Sequence, residues 1–403
     1  MEATAMPPHP SPLTPRRAGP KVLIVTGEAS GDLHGARLIK ATSALTGAVS
    51  FIGVGGQRMA DAGCEIFIPS EELSVMGLVE VLGHFPVIWR AFQRLKKMRH
   101  GDQRPDALVR SDFPEFNLRL ARQAQKAGVP VLYYVSPQVW AWRRGRVKKI
   151  ARLVDRLAAI LPFEPELYRG LDIRVEYVGH PLLDEFSATS RHAPPTVLAE
   201  LPPGTPLIGL FPGSRRSELK YMLATLVEAA ERIRQLKPEV HFVVPVAAGL
   251  PRQAVTEPFA AQSNITFIDA GREDIYGIAG ACDAIVSVSG TVTLQIALAG
   301  TPLAIFYKVA PLTYAIGRWL VRLEHIGLTN IVAGKQVARE FIQAEATAEN
   351  LAAEAVRLIE DKDYARSVRQ GLAEVRLKLG KPGCSSRVAH MLLEMIGFQP
   401  QEN

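Results

Sequence analysis

Cysteine is scarce in this chain: Cys64, Cys282 and Cys384 stand far apart, with no Cys-x-x-Cys pair and no Cys/His cluster. That excludes a disulfide framework and a structural zinc site, and it fits a reducing compartment. The dinucleotide fingerprint Gly-x-Gly-x-x-Gly and the ATPase loop Gly-x4-Gly-Lys-Ser/Thr are also missing. Residues 1–19 are rich in proline and contain no apolar core of a secretory signal, so they are expected to form a flexible tail. One run, 284–307, lacks charge and is long enough to span a bilayer. Ser287, Ser289, Gly290, Thr291, Gln295, Gly300 and Pro302 interrupt it, so it reads as strand, turn, helix and strand. No short internal repeat is visible.

What is present suits a two-domain globular protein. The chain has 403 residues, 47% of them hydrophobic and 22% charged, enough to bury two cores. The net charge of +7 favours nucleic acid, an anionic membrane or a phosphorylated ligand, without choosing among them.

Short β-branched apolar runs at 21–26, 49–53, 106–109 and 131–135 predict strands, separated by helical patterns at 32–45, 115–127 and 147–157. After a Ser- and Pro-rich stretch the alternation restarts. Strands are predicted at 207–211, 240–245, 265–268, 284–288 and 303–306, with helices at 221–236, 275–281 and 291–299. Helices at 348–360, 365–378 and 385–395 close the chain. The fold class is α/β, two doubly wound Rossmann-like domains facing a cleft. The expected boundaries are a tail at 1–19, a first domain at 20–190, a linker at 191–206, a second domain at 207–362 and terminal helices at 363–403. Those last helices are candidates to cross back onto the first domain.

Several strand ends carry polar loops, where open α/β sheets bind ligands. Gly27, Glu28, Ser30 and Asp32 follow the first strand and either bond sugar hydroxyls or make a turn with Asp32 as helix cap. Asp112 follows another strand, either as a general base or as a cap before Pro114. Gly213, Ser214 and Arg215 form a loop that either presents free N–H groups to phosphate, with Arg215 adding a bidentate contact, or simply carries solvated arginines; the agreement of strand, Gly, Ser and Arg favours the phosphate cradle. Ser289, Gly290 and Thr291 repeat that logic, and two such loops in one domain indicate a nucleotide diphosphate. His180, between Gly179 and Pro181, reads as a satisfied turn histidine.

Trp140 and Trp142 precede Arg143, Arg144, Arg146, Lys148, Lys149 and Arg152. This segment suits stacked bases, phosphates or a membrane boundary, or a solvated basic helix with one Trp in the core. Segments 85–99 and 307–328 combine apolar and basic faces, as interfacial helices and ordinary core-facing helices both do.

In this order the segments GEASGD, FIGVGGQRM, SVMGLVEVL, DFPEFNLRL, YYVSPQVWAWRRGRVKKI, LPFE, VGHPLLDE, LFPGSRRSE, SGTVTLQIAL and LTNIVAG resemble the lipid-A-disaccharide synthases. Those are inverting glycosyltransferases of the GT-B type. The resemblance implies a UDP-2,3-diacylglucosamine donor and a 2,3-diacylglucosamine 1-phosphate acceptor whose 6-hydroxyl attacks the anomeric carbon. The products are the β-1,6-linked disaccharide phosphate and UDP, formed without a cofactor or catalytic metal. It makes Asp112 the general base, places Arg215 at the UDP phosphates and Ser289, Gly290 and Thr291 in the nucleotide loop, and adds Asn330 to the site. It also implies a cytoplasmic enzyme lying on the inner-membrane surface, with no nucleic-acid partner and with a homodimer left open.

Three positions depart from the family pattern. Gln295 stands where Glu is usual, Arg110 precedes the base where small or apolar residues are usual, and Thr329 replaces Pro. In related folds the carboxylate at the position of Gln295 holds the ribose hydroxyls. A cation at Arg110 would lower the pKa of Asp112. A diverged, less active member is one alternative, and a UDP-aminosugar 2-epimerase on a similar fold is another.

Overall fold

A computed structural model describes residues 19–27, 29–70, 93, 104–111, 114–141, 145–189, 191–311, 313–314 and 323–398. The segment 85–99, apart from Gln93, and the residues Glu28, Asp112, Trp142, Arg143, Arg144 and Trp319 lie outside this set.

The first half is a parallel sheet of β1 (Lys21–Val25), β2 (Ser50–Gly55), β3 (Cys64–Pro69), β4 (Ala107–Arg110), β5 (Val131–Tyr134), β6 (Arg156–Ala159) and β7 (Arg174–Tyr177), in the order β3-β2-β1-β4-β5-β6-β7. The second is a parallel sheet of β8 (Leu207–Phe211), β9 (His241–Val246), β10 (Ile265–Asp269), β11 (Ala284–Val288), β12 (Leu303–Tyr307) and β13 (Glu340–Ile342), in the order β10-β9-β8-β11-β12-β13. Both orders reverse direction once, between β1 and β4 and between β8 and β11. A crevice therefore opens at the carboxyl ends of those strands in each half.

Buried faces explain why these runs are strands. β11 is buried along all five residues, and the facing helices cover both sides, as parallel sheets require. The uncharged stretch 284–307 is indeed β11, helix Val292–Ala299 and β12. No helix among the described residues is long and apolar enough to cross a membrane.

Two readings of the sequence need correction. The helix expected at 147–157 stops at Ala151, and Arg156–Ala159 is a strand held between β5 and β7. Leu157, Ala158 and Ala159 favour helix locally, but two flanking ladders supply their backbone partners. Strands β3, β7 and β13 went unpredicted; all three are sheet edges with part-exposed, polar or short sequences.

The last helix, Cys384–Met395, returns to the first half. Val388, Ala389, Met391 and Leu392 share a core with Val22, Ile24, Leu38 and Ile39. Asp184 caps this helix by accepting the N–H groups of Gly383, Cys384 and Ser385 at 2.6, 3.0 and 3.0 Å.

Candidate functional site

A cleft of about 850 Å³ opens at the carboxyl ends of β8 to β12. Gln138, Trp140, Glu185 and Thr189 line it from the first half, and the loops after β8 and β11 from the second.

After β8 the chain turns at Gly213, whose φ is +100°. A Cβ there would sit 2.2 Å from Glu218 Oε2 and 3.0 Å from Val288, so only glycine fits. Helix Arg216–Leu236 begins immediately afterwards. Its third residue, Glu218, accepts the N–H groups of Ser214 and Arg215 at 2.8 and 3.1 Å. The expectation of free N–H groups in this loop is therefore corrected. A helix start has orphan donors, and here the helix's own carboxylate takes them. Arg215 stays exposed on the cleft wall, and its guanidinium is the cation this loop offers.

After β11, Ser289 donates its N–H to Phe306 O and its hydroxyl to Ile326 O, at 3.1 and 2.9 Å. A Cβ on Gly290 would meet nothing within 4 Å, so the backbone there is open to the cleft. Thr291 precedes helix Val292–Ala299 and makes no side-chain cap bond. Gln295 lies one turn further along and reaches across to Glu185, Nε2 to Oε1 at 3.4 Å.

Two other sequence candidates turn out to be structural. Asp32 is buried and accepts three N–H groups, from Gly56, Arg58 and Met59 at 2.7, 3.2 and 3.2 Å. It caps helix Gln57–Asp61 rather than its own helix, which starts at Ala29, so its carboxylate is turned onto the backbone of that neighbouring helix. Asn330 is fully buried and spends its whole amide. Its Nδ2 donates to Ala338 O and Glu340 Oε1 at 2.6 and 2.7 Å, and its Oδ1 accepts from Val337 and Ala338 N–H at 2.8 and 2.9 Å. Asn330 therefore shapes the cleft floor through its neighbours Leu328 and Ile331 instead of touching a ligand with its side chain.

In the first half, Gly27 is buried and Ser30 is exposed on the first turn of helix Ala29–Leu45. The loops carrying them and Ser111 emerge side by side, because Val25 and Arg110 are register partners and Ser111 N–H bonds Val25 O at 3.0 Å. Arg110 is fully buried, with its guanidinium 3.9 Å over the Tyr133 ring. Its three guanidinium nitrogens find no hydrogen-bond acceptor among the described residues, and burial pushes its pKa down to about 10. It remains a cation at neutral pH. His180 is buried and caps helix Pro181–Ser187, with Nδ1 accepting Leu182 N–H at 3.2 Å. Burial, helped by nearby His34, holds its pKa at about 3. Trp140 packs edge-on to Phe163 with ring centroids 5.5 Å apart, so its ring is part of the core.

Cleft residues that the sequence reading did not single out include Glu185, Glu218, Tyr276 and Tyr307. Glu218 had a signal, since it lies three residues past the cap position. The others reach the cleft through tertiary packing. Burial raises the pKa of both tyrosines, which keeps them neutral donors.

A model of the lipid-A-disaccharide synthetase family matches residues 22–393. A lipid-A-disaccharide synthase of Syntrophotalea carbinolica is 58% identical over 378 residues, covering 93% of this chain and 95% of that protein. One of Geobacter metallireducens is 48% identical over 377 residues, covering 94% and 97%. Among solved structures, UDP-GlcNAc 2-epimerase from Neisseria meningitidis bound to UDP-GlcNAc aligns with a TM-score of 0.60 at 14% identity, over 93% of this chain and 100% of that one. That likeness shows a shared two-domain fold.

Proposed function

The chain belongs to the lipid-A-disaccharide synthase family of glycosyltransferases, and from that premise we propose how its cleft carries out the transfer. The donor is a UDP-linked 2,3-diacylglucosamine and the acceptor a 2,3-diacylglucosamine 1-phosphate. The observation that carries this reading is the meeting of two loops, Gly213–Arg215 and Ser289–Thr291, in one cleft at the reversal point of the second sheet.

Arg215 neutralises the diphosphate as it leaves, and the hydroxyl of Thr291 and the open backbone at Gly290 take its remaining oxygens. The acceptor enters from the first half, against the loops after β1 and β4. Asp112 takes the proton of the 6-hydroxyl as that oxygen bonds the anomeric carbon. The bond from that carbon to the phosphate oxygen breaks, UDP leaves with the electron pair, and the anomeric centre inverts. We take 20–190 and 207–362 as the acceptor and donor domains. The enzyme works at a membrane surface, because both substrates carry acyl chains.

A radiolabel transfer assay with synthetic acylated UDP-glucosamine and its 1-phosphate partner tests the reading. Labelled disaccharide phosphate should form only when both substrates are present. Asp112→Asn should lower kcat by 10²-fold or more, on the order expected of a general base, and Arg215→Ala should weaken UDP binding roughly tenfold or more. Full turnover by Asp112→Asn at saturating substrates would remove it as the base. Isomerised donor in the absence of acceptor would indicate an epimerase instead.

A further inference from the structure

Among the described residues, four carboxylates line the cleft: Glu185, Glu218, Glu273 and Asp274. Glu218 is committed to the loop N–H groups. Asp274 is committed to His192 at 2.5 Å and to Tyr276 N–H at 3.1 Å. Glu273 stands exposed in the turn after the edge strand β10. Glu185 differs from all three. It sits on helix Pro181–Ser187 of the first half, with Oε2 held loosely by Arg37 at 3.6 Å. Its Oε1 points at the amide of Gln295 from the second half at 3.4 Å. Both contacts are long, so each oxygen keeps a lone pair for a better donor.

The pairing gives Gln295 a physical reason. A glutamate at 295 would put a second negative charge against Glu185 in a half-buried setting, whereas glutamine donates to it. The cleft then holds one carboxylate and one amide side by side. A carboxylate accepts two neighbouring hydroxyls, and the amide can donate to one of them. In a 2,3-diacylated UDP-sugar the sugar keeps hydroxyls only at positions 4 and 6, which are not adjacent. The one free vicinal diol is the ribose 2′,3′ pair.

Resting on the UDP-sugar reading above, we propose that Glu185, braced by Arg37 and facing Gln295, grips the ribose diol of the donor. The carboxylate for the nucleotide thus comes from the first half of the molecule. Nucleotide binding joins the two halves across the cleft.

Titration calorimetry of the full chain with UDP and with 2′-deoxy-UDP tests this. The unmodified protein should bind UDP about tenfold tighter than 2′-deoxy-UDP, the size of one charge-assisted hydrogen bond. Glu185→Gln should shrink that ratio to below about twofold, weakening UDP more than 2′-deoxy-UDP, which keeps only the 3′-hydroxyl for the carboxylate. Gln295→Glu should weaken UDP through repulsion, and the exchange Glu185→Gln with Gln295→Glu should restore the ratio. A ratio that survives Glu185→Gln, or an equal loss for both nucleotides, overturns the assignment. Absence of any UDP binding by the unmodified protein would overturn the donor reading as well, whereas UDP binding without ribose discrimination overturns only this one. Thermal melts of each variant identify any loss that comes from unfolding.

Discussion

Arg110 is the residue most out of keeping with its surroundings. A fully buried guanidinium with only a tyrosine ring beneath it costs desolvation that nothing described returns. Arg110→Met should therefore melt at the same temperature as the parent or higher. If Asp112 is the base, removing the cation two residues away should also move the acid limb of kcat/KM to higher pH, because the carboxylate loses a charge that favours ionisation. An unmoved limb would mean that Arg110 does not act on the base. His180 gives a pH dependence with a definite sign. Its folded pKa of about 3 lies below the ordinary value of 6.5. The unfolded state therefore binds the extra proton, and the stability that neutral His180 supplies is present above about 6.5 and lost as pH falls towards 3. His180→Asn keeps a capping acceptor and should flatten the fall in unfolding free energy over that window by one proton. Glu164 works in the opposite sense. Burial raises its pKa to about 7, so its contribution is full below its ordinary value of 4.5 and is lost as pH rises through 7.

At the scale of elements, helix Cys384–Met395 depends on a side chain about two hundred positions earlier in the chain. Asp184 accepts three N–H groups and the Ser385 hydroxyl, replacing the local cap this helix lacks, since Gly383 has no side chain. Asp184→Ala should cost about 1–3 kcal/mol. Hydrogen exchange should localise that loss to 384–395, and a uniform change across the molecule would refute the capping role. Elements also show what was legible. Central strands such as β8 and β11 are almost wholly apolar and could be read directly. Edge strands β7 and β13 carry Arg174 and Glu340 and are short, so their local signature is weak, whereas the apolar run 66–68 of β3 was legible and was passed over. β6 was misread because its residues suit a helix when considered alone.

At the scale of the whole molecule, the chain itself passes between the halves at two places that help tie them together. One tie is the linker, where Gly277 approaches Ala193 so closely that a Cβ would come within 2.2 Å of its carbonyl oxygen. The other is the return of the terminal helix, reinforced by Tyr177 bonding Lys378 O at 3.0 Å and Arg387 bonding Val178 O at 2.9 Å. A protease site placed in the exposed turn 202–204 should give two fragments that still co-elute on size exclusion. Adding removal of 384–398 should destabilise the first half, because Val388 and Leu392 fill its core. Separation after the single cut would mean that the crossing helix holds nothing together.

The alternation of strand and helix, the polar loops at strand ends and the ordered motifs are local chemistry. Sterics and side-chain type set them within a few residues, so the linear sequence by itself determined the two-sheet fold and the family. Which of those loop residues face a ligand is decided at longer range. Asp32 and Asn330 look like site residues in the sequence, but packing turns their polar atoms onto backbone donors and acceptors. Glu185 looks like one more helical carboxylate, yet the meeting of two domains sets it against Gln295. A buried polar atom must find a partner, and only the folded chain decides whether that partner is protein or is left to the substrate.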